Sequence, residues 1–481
     1  MKRVVSSAVA FALASCAGNP AYNAPRTVPA SAQVATGATT SAPLFDSLAR
    51  AAQLPPPVPP GAAFAATATA AVAWLDVLRD TTLVSLVRTA LRDNQDIRVA
   101  VARVNEYRAL TGSARSGLFP LVTANASAST NQIAIGASSP IAYKAIRATA
   151  DLQWELDFWG RIRQGAAAAE ADQAMRAEDE RALALTLVAQ VSYAYLELLE
   201  SREALDVAQR ALTSRQATLG LARQRFAQGV ISELDVRLFE ADVAGAASSV
   251  AQFTRVSAQR EHAISLLLGR TPAAVATGGT LDGSMVALAA PDSVPAAMLL
   301  RRPDVLSAER ALAAEQARFG ATRAAVLPRF VITGQYGRQS PSVSEVFGAD
   351  HEIYAAQIGV SIPLFAGGRQ SSELDAGRAR IEQARGRYEQ SVLRAVNEAA
   401  DALIALRTDR QQLAALTAQA TALRDAYRLA NRRYEGGIAS FLEVLEAQRS
   451  LFAAELAATQ SRRAYLEATV ELYKALGGSW Q

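Results

Sequence analysis

Glu443 and Glu446 stand three residues apart beside Leu442, in the stretch R-Y-E-G-G-I-A-S-F-L-E-V-L-E-A-Q from Arg433 to Gln448. On a helix this spacing places both carboxylates on one face, where they can attract cations or line an aqueous passage. A second acidic set, Asp151, Glu155 and Asp157, could imitate the acid–base pair of a hydrolase. Those three, however, occupy alternate positions in a segment whose other positions are apolar, which assigns them to the wet side of a strand. With 2 His and 1 Cys, intrachain disulfides are excluded and a metal or Cys/His catalytic cluster is disfavoured. No triad, phosphate loop or metal spacing appears, so an enzyme is disfavoured and no cofactor is implied. Lys+Arg 49 against Asp+Glu 45 gives a formal charge of only +4, too weak and too evenly spread to suggest nucleic acid.

The carboxylates need a scaffold, and the flanking sequence supplies one. Gly436-Gly437 can reach backbone angles closed to a helix, and Ser440 is a candidate N-cap for the next helix. Long helical patterns lie on both sides, so the stretch reads as the tip of a helical hairpin. From Arg161 to Gln228 there is no Pro, and Val191, Leu198, Leu205, Leu212, Leu219 and Phe226 recur every seven residues. Val236, Val243, Val250 and Ile264 keep that period on the way back. So do Leu406, Leu413, Ala420, Tyr427 and Tyr434, and then Val444, Leu451, Ala458, Tyr465 and Leu472. Sustained heptads mean coiled-coil packing. A helix over Arg161–Gln228 would be roughly 100 Å long, several membrane thicknesses.

The tip has an echo, R-F-A-Q-G-V-I-S-E-L-D-V from Arg225 to Val236, 208 residues earlier. The same offset relates Asp96 to Asp304, Gly112 to Gly320, Arg115 to Arg323, Pro120 to Pro328, Gly160-Arg161 to Gly368-Arg369, and Leu268-Gly269 to Leu476-Gly477. One ungapped register over so long a span indicates a tandem duplication. Each half reads helix, two strands, long helix, tip, helix. Repeat 1 covers 74–269, with strands about 121–133 and 145–158 and its tip near 229. A Gly- and Pro-containing linker covers 270–298. Repeat 2 covers 299–477, with strands about 329–339 and 353–365 and its tip near 437, and a tail covers 478–481.

In Ala145–Phe158 the even positions are apolar throughout, while the odd ones are Arg147, Thr149, Asp151, Gln153, Glu155 and Asp157. Such period-two segments of about ten residues can cross a bilayer as tilted strands, apolar side out. Trp154, Phe158, Trp159 and Tyr354 fall where interfacial aromatics belong. Four strands cannot close a barrel, for which about eight is the minimum. Several chains must therefore build it together, two for eight strands or three for twelve.

The N-terminus carries a secretory signal peptide over 1–15: Lys2-Arg3, then the apolar Val4–Leu13, then small residues. Its end, L-A-S-C, resembles a bacterial lipobox, with Cys16 as the lipidated first residue of the mature chain. Ala17 after it fits sorting to the outer membrane. Residues 16–73 form a lipid-anchored arm rich in Ala, Pro, Thr and Ser, extended rather than packed.

The residues collected here resemble the TolC family of outer-membrane channels, lipoprotein branch, typified by OprM and NodT. The matching stretches are R-R-P-D-V and A-E-R-A-L-A-A within Arg301–Ala314, the turns F-W-G-R and F-A-G-G-R, the tip itself, and the ending L-Y-K-A-L-G-G-S-W. The resemblance implies a mainly α fold with membrane β. Its protomer contributes to a trimeric 12-stranded β-barrel continuous with a 12-helix α-barrel tunnel. It further implies a homotrimer in outer-membrane lipid, docked to a periplasmic adaptor (membrane fusion) protein and an inner-membrane RND-type transporter. Such a trimer would be a passive exit duct for drugs or other toxic small molecules. By the same resemblance Leu442 matches an apolar constriction, and Glu443 and Glu446 match acidic positions ringing the periplasmic entrance. Asp235 and Tyr434 match a pair that links neighbouring helices when the gate is closed, whereas Ala439 stands where some relatives carry a locking Arg. Gly229, Val230, Gly437 and Ile438 are the tip residues expected to touch the adaptor. Two other readings remain open: the duct of a type I protein-secretion system, and a periplasmic scaffold without a pore.

Overall fold

The computed structural model describes Trp74 and residues 80–133, 141–283, 296–346 and 348–478. The signal peptide, Cys16 and the whole N-terminal arm lie outside the described residues, as does part of the linker.

The first helical pattern resolves into two helices, α1 (Thr81–Asp93) and α2 (Gln95–Ser116), because Asn94 interrupts it. Asn94 sits in extended backbone, and its side-chain oxygen accepts from Asp96 N at 2.8 Å and Ile97 N at 3.2 Å. One residue thus ends α1 and caps α2. Two strands come next, β1 (Leu121–Ile133) and β2 (Ile141–Leu156). The helix α3 (Arg161–Ala227) runs 67 residues, turns, and returns as the 35-residue α4 (Glu233–Leu267).

The second half keeps the same order: a single turn α5 (Ala296–Leu299), then α6 (Pro303–Ala325), β3 (Arg329–Ser340) and β4 (Glu352–Ser361). It closes with α7 (Arg369–Glu435), again 67 residues, and α8 (Phe441–Ala475), again 35. β2 ends at Leu156 rather than Phe158, where the chain turns through Gly160 in the left-handed region (φ 78°) to start α3. β4 stops at Ser361, ahead of Pro363, which has no N–H to give the ladder.

The four strands form one antiparallel sheet in the order β1-β2-β3-β4. Its registers pair Ala126 with Ala148, Trp154 with Ile332, and Tyr336 with Tyr354, so even-numbered residues share one face on all four strands. Up to the Tyr336–Tyr354 pair that face is apolar, with Leu152, Trp154, Leu156, Phe330, Ile332, Ile358 and Val360; beyond the pair it carries Lys144, Arg338 and Glu352. The odd face is polar and internally bonded. Asp151 accepts from Asn125 Nδ2 (2.6 Å), Gln335 Nε2 (2.7 Å) and Thr149 Oγ1 (3.0 Å). Among the described residues β1 and β4 each have a partner on one side only, so the sheet has two open edges.

Below the sheet, α3 packs on α4 and α7 on α8, with α3 against α8 joining the hairpins. The main core wraps the middle of α3: Leu187, Val188, Val191, Tyr195 and Leu198 are covered by Leu83, Val84, Val87 and Leu91 of α1. In repeat 2, among the described residues, Leu299 of α5 and Val305 of α6 pack on the corresponding core of α7. The heptad residues Leu406, Leu413, Tyr465 and Leu472 are buried between α7 and α8.

Candidate functional site

The site is the end of the two hairpins farthest from the sheet. Both tips are the same turn. Gly229 and Gly437 adopt φ 73° and 74°, each one residue past a last helical turn. Val230 N bonds Arg225 O (2.9 Å) and Gly229 N bonds Phe226 O (2.9 Å); Ile438 N bonds Arg433 O (2.8 Å) and Gly437 N bonds Tyr434 O (3.0 Å). This is the Schellman pattern, which satisfies carbonyls that a helix end leaves bare and needs a left-handed residue at its centre. A side chain at Gly229 or Gly437 would meet nothing within 4 Å, so the backbone angle alone demands glycine there. Gly436 remains right-handed (φ −77°). Val230 and Ile438 stand proud of the turns, 67% and 75% exposed.

Beyond the glycines the tips diverge. At tip one, Ser232 caps α4 through a complete capping box. Its hydroxyl accepts from Asp235 N at 3.3 Å, while Asp235 Oδ2 accepts from Ser232 N (3.0 Å) and Oγ (2.7 Å). At tip two, Ser440 holds the N-cap position in extended backbone, but its side chain makes no capping bond. The residue that would complete a box, Glu443, is engaged elsewhere: Arg433 Nη1 donates to its Oε1 at 2.7 Å. Glu446 is exposed one turn on, and Leu442 is 69% exposed beside it. The first turn of α8 thus presents an apolar residue, a paired carboxylate and an open one.

Asp235 and Tyr434 are not bonded to each other within the chain. Both Asp235 oxygen contacts go to Ser232, and the Tyr434 hydroxyl is buried without a hydrogen-bond partner. Tyr434 instead packs with Leu219, Ala222, Val236, Phe239 and Val444, a cluster drawn from all four long helices. Asp151, Glu155 and Asp157 also separate. Asp151 belongs to the polar face of the sheet. Glu155 takes two bonds of 2.8 Å from Arg161, and Asp157 accepts from Ile162 N (3.0 Å) and Arg163 N (2.8 Å), anchoring the start of α3.

Higher up the hairpins lies a group that periodicity does not reveal. Arg215 of α3 and Asp242 of α4 are both buried, with Nε 3.1 Å from Oδ2 but not aligned as a hydrogen bond, and Arg215 Nη1 donating to Asp242 O at 3.2 Å. Arg449 of α8 brings Nε to 3.6 Å from the other Asp242 oxygen. Beside them Ser214 bonds Tyr427 (2.8 Å) and Gln448 (3.4 Å). The only advance signal was a charged residue falling one position off an apolar heptad.

The sheet and tips can be set against known proteins. The sequence profile of outer membrane efflux proteins matches residues 86–270 and again 294–478. The chain belongs to the outer membrane efflux protein family. Both ends of the two matches are 208 residues apart (86 to 294, 270 to 478), the period of the duplication. Similar relatives in Pseudomonas putida are the probable efflux pump outer membrane protein SepC and the toluene efflux pump outer membrane protein TtgF. Each is 34% identical over 412 residues, covering 85% of this chain and 85% of the relative. Among solved structures, the open-state MtrE outer membrane channel of Neisseria gonorrhoeae superposes with a TM-score of 0.76. It is 30% identical and covers 83% of this chain and 89% of its own. This efflux protein is an outer-membrane channel component.

Proposed function

We propose that three copies join edge to edge, β4 of one against β1 of the next, giving twelve strands and a twelve-helix tunnel. The carrying observation is the sheet: apolar on one side, polar and internally bonded on the other, with both edges unpaired. In lipid every backbone N–H and C=O must find a partner, so a sheet with bare edges requires closure. Closure by copies of itself puts the odd face, with Asp151 and Arg147, inside an aqueous lumen.

The tunnel is a passive exit duct for drugs or other toxic small molecules, with no catalytic step of its own. Leu442, Glu443 and Glu446 ring its periplasmic mouth, with Asp235 and Tyr434 shaping the same end. Three chains place six of these carboxylates around one axis, an arrangement that favours cations. Cys16 carries the lipid anchor. The exposed turns at Gly229, Val230, Gly437 and Ile438 meet a periplasmic adaptor, which connects the duct to an inner-membrane RND-type transporter. In support, those turns expose Val230 and Ile438 and are closed within by main-chain hydrogen bonds, as a docking edge should be.

A photoreactive amino acid at Val230 or Ile438 in the intact envelope tests this reading. Cross-linking to a periplasmic adaptor, lost when the probe is moved to Leu429 higher on α7, supports it. Equal labelling at both heights contradicts it.

A further inference from the structure

We propose that Arg225 positions the gate. This guanidinium, on the first hairpin, clamps the end of α7 and holds the second hairpin's tip in place within each chain. The inference rests on reading the tips as the gate, and it names the residue that restrains them.

Arg225 lies in the last turn of α3, yet its bonds run to the other hairpin. Its Nη2 donates to the main-chain oxygens of Tyr434 (3.1 Å) and Glu435 (3.0 Å), and its Cζ sits 4.5 Å over the Tyr434 ring. These two carbonyls belong to the final turn of α7. The negative end of the helix macrodipole gathers at this turn, and Glu435 O receives none of the turn's main-chain bonds while Tyr434 O already accepts from Gly437 N, so a cation there is doubly favoured. The ring beneath adds a cation–π contact. It is itself held in an aromatic group, with Phe239 6.5 Å from Tyr434 and 3.6 Å from Phe441. Sliding or tilting α7 against α3 would break two hydrogen bonds and one cation–π contact together.

The duplication provides an internal contrast. Arg433 occupies the equivalent place in repeat 2, 208 residues on, but it turns inward to Glu443 of its own hairpin. Hairpin one therefore grips hairpin two, while hairpin two's arginine braces its own tip. Two of the clamp's three contacts fall on backbone and the third on the Tyr434 ring, so both the turn and that side chain hold the guanidinium.

The test uses the full-length lipidated trimer in planar bilayers. Arg225→Gln loses the charge and the ring contact. It should raise mean single-channel conductance at least about twofold and lengthen open events, with the trimer still intact on a native gel. Arg225→Lys keeps the charge but loses the planar guanidinium whose Nη2 reaches both carbonyls, and should fall between wild type and Arg225→Gln. Arg428→Gln, which breaks an exposed pair with Asp425 on the same helix, should not reproduce the effect. Wild-type conductance in Arg225→Gln, while Glu446→Gln still shifts the reversal potential, overturns the clamp and leaves the gate reading standing. Wild-type behaviour in both variants overturns the clamp together with that reading. Should Arg225→Gln fail to assemble, Arg225→Lys decides alone: raised conductance supports the clamp and unchanged conductance rejects it.

Discussion

Arg215 and Asp242 face each other across α3 and α4 as a buried ion pair, 8% and 5% exposed at their side chains, with Arg449 of α8 approaching the same carboxylate. A buried pair is a weak source of net stability, but removing one partner strands the other charge. Asp242→Ala should destabilise the hairpins by about 3–5 kcal/mol, read as earlier loss of the trimer on thermal denaturation. The double variant Arg215→Met/Asp242→Leu should recover most of that loss. Equal damage in the single and double variants would show that the site is not governed by stranded charge.

Glu180 gives a pH dependence of definite sign. It is 4% exposed on α3, with one carboxylate oxygen unpartnered, and burial pushes its pKa above the ordinary 4.5 despite the pull of Arg181 and Arg108. Folding thus favours the protonated form. That stabilisation is complete below the ordinary value and is lost as pH rises through the raised one. Glu180→Gln should remove this decline and leave the protein on the order of 1 kcal/mol more stable at neutral pH. Thermal melts of both proteins from acid to neutral pH check it. Parallel curves would mean that folding leaves the Glu180 pKa unchanged, contrary to its buried surroundings.

The face assignment of the sheet is tested by two adjacent residues on β4. Ile358→Lys puts a charge on the lipid side and should cost about 2–4 kcal/mol near mid-membrane. Gln357→Lys, one residue away on the polar side, should be close to neutral. Folding yield into phospholipid vesicles separates them. Comparable yields would contradict the alternation.

Much of this was legible in the sequence, and the reasons differ by element. Strand parity was visible because one side of each strand meets lipid and the other water, so chemistry alternates with the pleat. The long helices showed because Pro is absent and the heptad seam of Leu406, Leu413, Tyr465 and Leu472 is buried. What stayed hidden depends on lateral placement of one hairpin against another. Nothing local announces that Arg225 reaches Tyr434 and Glu435, or that Asp242 serves two arginines from different helices. Nor does the repeat reveal that α1 packs Leu83, Val84, Val87 and Leu91 over the middle of α3. Ser440 looked like a cap by type, yet Arg433 holds the Glu443 that a capping box would need.

The two tip serines extend that contrast into a measurement. Ser232→Ala breaks a complete capping box and should cost about 0.5–2 kcal/mol. Ser440→Ala removes no capping bond and should stay within about 0.5 kcal/mol of wild type. Hydrogen exchange over the first turns of α4 and α8 reads the two ends separately. Equal loss of protection at both would refute the difference between the tips.

The central claim is a water-filled duct whose acidic mouth is built by the second hairpin, and ion selectivity tests it most directly. In a planar bilayer with a salt gradient, the wild-type trimer should show a cation-selective reversal potential. Glu446→Gln should move that potential towards zero, and Gln357→Glu in the wide lumen should move it little. A wild-type protein that conducts without cation preference, or a Glu446→Gln reversal potential identical to wild type, would contradict the account.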